Sequence, residues 1–242
     1  MTEAEWLNET DPQKLVSFVG RFRPSERKLR LYATAGCRRI WHLLRDGRSR
    51  TAVEVAEQFA DGRATEDARE RAWIAADEAT TDVWLATEEN ERGSVSNWDS
   101  ANMSVSAASN AVGPPEDFVG PEAELFYLTA NPVEARMLEV REQGRNADAT
   151  LAAERVIHLG LLRDIFGNPF RPVAVDPAWL TSDVLALARG IYEERAFDRM
   201  PILADALQDA GCTNDDVLNH CRDTNQIHVR GCWVVDLVLG QQ

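Results

Sequence analysis

The spacing of apolar positions predicts helix after helix along most of the chain. Residues 2–20 read as a short helix and a second one opened by Asp11-Pro12, where a capping acid precedes proline at the first helical position; Gly20 ends it. Pro24-Ser25-Glu26 opens a helix predicted to reach about Leu44. It has Leu29, Ala33, Cys37, Ile40 and Leu44 at helical spacing, with Arg27, Arg30, Arg38 and Arg45 on its other side. Asp46-Gly47 breaks the chain, and residues 49–60 form an amphipathic helix through Ala52, Ala56 and Phe59 that Gly62 stops. From Thr65, a plausible N-cap, to about Asn90 a long helix presents Ala68, Ala72, Ala75, Ala76, Ala79, Val83 and Ala86. This stripe of small residues lets another helix approach closely.

Residues 93–115 change character. Serines and asparagines crowd a stretch closed by Gly113-Pro114-Pro115, a composition that favours turns over continuous helix, so 93–120 reads as a linker or insertion. Regular structure returns at Pro121–Leu128, and Asn131-Pro132-Val133-Glu134 is a helix start, with Gly144 closing that helix. Residues 148–166 are apolar on more than one side (Ala152, Val156, Leu159; Ile157, Leu161, Ile165), which predicts a central, buried helix. The prolines between Gly167 and Pro177 make a rigid, extended connector.

Two strongly patterned helices follow, through Val184, Leu187, Ala188 and Ile191, and through Met200, Leu203, Ala204 and Leu207, the second capped by Asp198 and ended by Gly211. A short helix starts at Thr213 with Asp216 three residues on, and carries Val217, Leu218 and Cys221 inward. The valines of Cys232–Leu239 would suit a strand, but no partner strand is apparent, so this segment is read as helix. The fold class expected is all-α: a multi-helix array or bundle with an N-terminal helical region (1–92), the linker (93–120) and a C-terminal helical module (121–242).

Charge divides the chain unevenly. The formal charge of the 242 residues is −14, a value that opposes non-specific contact with nucleic acid or anionic membrane. Yet residues 21–50 hold ten Arg or Lys against Glu26 and Asp46 only, so this segment is +8 and the remainder is −22. No basic region followed by an apolar run opens the chain, and charged residues interrupt every apolar stretch, so neither a secretory signal nor a membrane-spanning helix is expected. Cys37, Cys212, Cys221 and Cys232 read as reduced thiols, and the expected location is cytoplasmic.

Four segments carry a resemblance. Arg27-Lys-Leu-Arg-Leu-Tyr-Ala with Cys37-Arg-Arg-Ile-Trp-His-Leu-Leu, Leu161-Leu-Arg-Asp-Ile-Phe-Gly-Asn-Pro-Phe-Arg-Pro-Val, Ala196-Phe-Asp-Arg-Met-Pro-Ile-Leu-Ala-Asp-Ala-Leu and His228-Val-Arg-Gly-Cys-Trp-Val-Val-Asp-Leu are the segments concerned. They resemble a large paralogous family of uncharacterised proteins in planctomycete bacteria. The resemblance covers both ends, leaves out the Ser/Asn-rich middle, and implies domain limits and a cytoplasmic origin. It brings no activity, substrate or catalytic residue.

Phosphate loops ending in Lys-Ser/Thr, dinucleotide fingerprints, zinc-protease helices and nucleophile elbows are absent from the sequence. Potential metal ligands concentrate in Cys212, His220, Cys221, His228 and Cys232, in a polar segment that a structural zinc would staple. Their spacing is irregular. Adjacent His220 and Cys221 point about 100° apart on a helix, so at most one can serve. The competing reading is core thiols with a hydrogen-bonded histidine, and it is preferred. Cys37 is read as a core thiol that does not pair with His42, and Glu154 and His158 as a surface pair one turn apart.

Glu54 and Glu57 on one helix, with Glu78 and Asp82 on the next, match the acidic pairs by which helical nucleotide pyrophosphohydrolases hold Mg²⁺. Glu54, Glu57 and Asp61 also lie opposite Ala56 and Phe59, as a solvated face would. The arginines, among them Arg27, Arg30, Arg38, Arg39 and Arg45, could bind anions, nucleic acid or a partner. In so acidic a chain they are expected instead to dock against acidic helices. The function expected is that of a non-enzymatic protein-interaction or regulatory module, with a protein partner or self-association, no cofactor beyond a structural zinc, and neither membrane nor nucleic acid as partner. The alternatives are an Mg²⁺-dependent nucleotide hydrolase and a nucleic-acid or anion binder.

Overall fold

Side-chain caps start most of the helices where the sequence places capping residues. The computed structural model describes residues 1–90, 100–113, 132–133, 135–136, 138–144 and 146–241, with the side chains of all of these but 84, 86–90 and 100–103. Its helices are α1 (Glu3–Asn8), α2 (Pro12–Gly20), α3 (Glu26–Arg39), α4 (Gly47–Ala60), α5 (Glu66–Asn90), α6 (Ser100–Val112), α7 (Ala147–Phe166), α8 (Ser182–Glu194), α9 (Met200–Asp209), α10 (Asp215–Arg222) and α11 (Trp233–Leu239). Further helical residues lie at 132–133, 135–136 and 138–142. Among the described residues no strand occurs, so the class is all-α and Cys232–Leu239 is helix. Pro121–Leu128 and the expected cap Asn131 lie outside the described residues.

Asp11, Ser25, Asp46, Thr181 and Asn214 each accept a hydrogen bond from a backbone N–H of the first turn they precede, and Thr65 does the same for Ala68. Two expected caps shift. Asn214 caps α10 in place of Thr213, accepting from the Val217 N–H at 3.1 Å. Asp198 sits inside a 3₁₀ turn (Phe197–Arg199) and does not cap α9, which starts with Pro201 in its first turn. Helix α3 stops at Arg39, short of Leu44, because Ile40 leaves the helical basin; Ile40, Leu43 and Leu44 are buried from a turn instead.

The contacts divide the chain into two units, Glu9–Leu159 and Met1–Asn8 with Gly160–Gln242. This differs from the expected break at 93–120. Residues 100–112 are helical, and Ser104, Val105, Ala107, Ala108, Ser109, Ala111 and Val112 are buried. Their small side chains admit α4 and α5 closely, and packing outweighs the weak helix propensity of serine and asparagine. The Gly167–Pro177 connector lies inside the second unit and joins no domains.

In the unit Glu9–Leu159, α4, α5 and α6 pack on one another and α3 packs on α4 and α6. The small-residue stripe behaves as expected: Ala72 and Ala76 of α5 meet Ala52 and Ala56 of α4 and Val112 of α6. Helix α3 is not the two-faced basic helix its pattern implies, since every residue from Leu29 to Cys37 is buried. The expected central burial of residues 148–166 holds only in part, because Ala152 is exposed and Val156 is 68% exposed.

The other unit has a core of Val184, Ala188 and Ile191 from α8, Met200, Leu203 and Leu207 from α9, Val217 and Cys221 from α10, and Val234, Val235 and Val238 from α11. Helix α1 belongs here. Trp6 is buried, its carbonyl accepts from the Arg163 guanidinium at 2.9 Å, and the Asn168 amide donates to Glu3 at 2.8 Å. Gly167 ends α7 in the left-handed region (φ +66°), and a Cβ there would lie 3.2 Å from the Trp233 ring. Only glycine meets both demands without strain. No helix among the described residues is long and apolar enough to cross a membrane.

Candidate functional site

Four metal-competent side chains converge within the unit that contains α8 to α11. Asp164 lies near the end of α7 between Leu162 and Ile165, all three buried. His220 stands in the last turn of α10, His228 in the irregular segment that follows, and Cys232 at the N-cap of α11. His228 Nδ1 is 2.8 Å from Asp164 Oδ1, and His220 Nε2 is 3.2 Å from the same oxygen. Cys232 Sγ lies 3.2 Å from His220 Nε2 and 3.8 Å from His228 Nδ1. The four donor atoms all fall within 4.8 Å of one another. Asp164 Oδ2 accepts the Val229 N–H at 2.9 Å, which fixes the carboxylate so that Oδ1 faces the two rings.

These residues could hold a metal ion. The two imidazole rings meet edge to face, 78° apart with centroids at 4.9 Å, and one nitrogen of each lies within 3.2 Å of Asp164 Oδ1. Burial works to raise the Asp164 pKa, but hydrogen bonds from His220 and His228 outweigh it and hold the carboxyl below its usual range. Burial, reinforced by the Asp164 charge, pushes the Cys232 thiol well above its usual value.

Three of the five ligand candidates from the sequence are therefore together, and two are not. Cys212 and Cys221 lie in the apolar core, and Cys221 is pushed up to about 12, first by burial. His220 serves where its neighbour Cys221 points away. Cys232 belongs to the same core, as the core-thiol reading expects, but at the start of α11 its sulfur lies 3.2 Å from His220 Nε2. Asp164 is not marked as a ligand by the sequence, where cysteine and histidine are the residue types that stand out. Its signal was a lone carboxylate in Leu161-Leu-Arg-Asp-Ile-Phe, a run whose neighbours are core residues.

In the unit Glu9–Leu159 the arginine segment turns inward. Arg38 grips Glu57 with two hydrogen bonds of 3.1 and 2.8 Å and stacks 4.2 Å over the Trp41 ring. Arg39 holds Glu154 at 2.9 Å, Arg27 lies 3.4 Å from Asp61, and Arg48 bridges to Asp82 at 2.7 Å. Buried Arg30 bonds Glu26 at 2.8 Å and donates to the Ala111 carbonyl at 3.3 Å. Of the candidate arginines Arg39 and Arg45 are exposed.

Glu57 and Asp61 do not form the solvated face expected of them: their side chains are 5% and 3% exposed, because arginines cover them. Burial opposes the charged form of Arg38, but the Glu57 hydrogen bonds and charge outweigh it and raise the Arg38 pKa. Of the four acidic candidates for Mg²⁺, Glu54 and Glu78 are exposed, while Glu57 and Asp82 are held by arginine.

Glu154 and His158 are not a surface pair, since both are buried. His158 Nδ1 meets the Tyr32 hydroxyl at 3.1 Å, and burial, with Arg39 adding to it, lowers its pKa from 6.5 to about 4. Between those values the unfolded chain binds a proton that the folded one does not, so stability falls as pH drops through this window. The expected slope is up to about 1.4 kcal/mol per pH unit. Urea unfolding across pH 4 to 7 checks it, and a slope unchanged in a His158→Gln variant would refute it. Cys37 is a core thiol as expected: it donates to the Ala107 carbonyl at 3.4 Å and burial pushes it up to about 12, while His42 pairs with Glu139 at 3.1 Å.

No family model, no curated protein and no solved structure matches the chain.

Proposed function

We propose that this chain is a non-enzymatic helical module acting in the cytoplasm through contacts with a protein partner or with itself. The observation that carries the reading is the arginine–carboxylate network of Arg27, Arg38, Arg39 and Arg48 with Asp61, Glu57, Glu154 and Asp82. A pyrophosphohydrolase needs its carboxylates free to hold Mg²⁺. A nucleic-acid binder needs its guanidinium groups free for phosphate. These contacts occupy Glu57 and Asp82 of the first set and Arg27, Arg38 and Arg39 of the second, leaving Glu54, Glu78 and Arg45 exposed.

The thiols fit this reading as well. Cys37 and Cys221, each pushed up to about 12, are protonated at neutral pH and therefore poor nucleophiles.

Nucleoside triphosphates incubated with the full chain and Mg²⁺ are expected to release no pyrophosphate, and duplex DNA at low salt to show no binding. Pyrophosphate release lost on Glu57→Gln, in a variant that keeps its helical circular dichroism, would overturn the reading. DNA affinity that falls steeply with salt and disappears on Arg39→Ala would do the same. Sedimentation across a concentration series reads self-association directly.

A further inference from the structure

We propose that Asp164, His220, His228 and Cys232 form a closed zinc site that staples the segment between α10 and α11 to the end of α7. This goes beyond the interaction-module reading and does not depend on it. Zinc bonds of about 2.0 Å to nitrogen and oxygen and about 2.3 Å to sulfur place the donors of a tetrahedron roughly 3.3 to 3.7 Å apart. Four of the six edges of this cluster are 2.8, 3.2, 3.2 and 3.8 Å and none exceeds 4.8 Å, so a central ion needs only small adjustments of side chains already in place.

Charge points the same way. Asp164 and Cys232 are buried to 0% exposure and the two histidine side chains to 6–8%. Interiors tolerate a buried carboxylate only where its charge is compensated. A divalent cation bound by one carboxylate, one thiolate and two neutral imidazoles makes the centre neutral.

The donor set selects the metal. Two nitrogens, one sulfur and one oxygen suit zinc and its spectroscopic substitute Co²⁺, whereas Mg²⁺ and Ca²⁺ require six or more oxygens. Four protein ligands leave no position for water or substrate, which is the arrangement of a structural centre. The surroundings give such a centre work to do. Residues 223–231 contain no regular helix, and the Val229 N–H and His228 bind them to α7 through the Asp164 carboxylate. The oxygen of Asp164 that does not face the rings is the one held by the backbone, an outer-shell contact of the kind that orients a monodentate ligand.

The test uses the full chain, stripped with a chelator and titrated with Co²⁺ and then Zn²⁺. The expected result is one Co²⁺ per chain, with the intense visible bands of tetrahedral cobalt and a thiolate charge-transfer band in the near ultraviolet, all displaced by one Zn²⁺. Cys232→Ser should abolish the charge-transfer band and weaken binding by about 100-fold or more. Asp164→Asn should weaken binding but keep the thiolate band, and Cys212→Ser, which changes a core thiol outside the cluster, should leave both unchanged. If stripping unfolds the protein, zinc-dependent refolding of wild type reports the same site. Wild type that stays folded without metal and takes up no stoichiometric Co²⁺ or Zn²⁺ overturns the proposal, as does a thiolate band that survives Cys232→Ser and disappears with Cys212→Ser.

Discussion

Replacing Arg38 with alanine is expected to destabilise the unit Glu9–Leu159 by about 3 to 5 kcal/mol, the range for removing one partner of a buried ion pair. Glu57 would be left with its side chain 5% exposed and without the two-pronged guanidinium that now faces it. The stack on Trp41 at 4.2 Å would be lost as well. The cost comes mainly from the abandoned carboxylate, because the net worth of the intact pair is small once desolvation is counted. Two further outcomes follow from that mechanism. The double variant Arg38→Met, Glu57→Leu should recover most of the stability, and the deficit of Arg38→Ala should shrink on acidification as Glu57 takes up a proton. Urea denaturation read by circular dichroism measures all three. A deficit equal in the single and double variants would show that packing against Trp41, and not charge, is what Arg38 supplies.

Trp6→Ala is expected to cost about 3 to 5 kcal/mol, as other buried tryptophan truncations do. The effect should appear far away in sequence. Trp6 is 1% exposed, and in the unit that comprises Met1–Asn8 and Gly160–Gln242 Arg163 donates to its carbonyl and Asn168 to the nearby Glu3. Amide exchange should therefore quicken in α8 to α11 and stay near wild type in α3 to α6. Faster exchange confined to α2 and α3, the helices that follow it in the chain, would contradict the assignment of α1 to that unit.

Helix positions were legible because they depend on neighbours in sequence. Asp11, Ser25, Asp46 and Thr65 announce α2 to α5, and the alanine stripe of α5 shows where another helix can come close. The misreadings share a cause. Serine-rich α6 looked like turns because serine and asparagine have weak helix propensity, yet burial of Val105, Ala108 and Val112 outweighs it. Glu57 and Glu154 looked like solvent-facing charge, but each is buried against an arginine of α3, the docking on acidic helices that the charge imbalance predicted. Periodicity records which side of a helix is polar and says nothing of what that side touches.

The candidate centre divides along the same line. His220, His228 and Cys232 stood out by residue type within one short segment, and the roughly 100° between His220 and Cys221 already limited them to one ligand. Asp164 comes from 56 positions upstream of His220, on a helix whose pattern marks that position only as an odd charge among core residues. By itself the sequence determined the all-α class, most of the helix starts and the uneven division of charge, because propensity, capping and composition act over a few residues. Tertiary structure decided which charges are paired, where the chain divides and which four donors meet, because those depend on close approach between segments far apart in the chain.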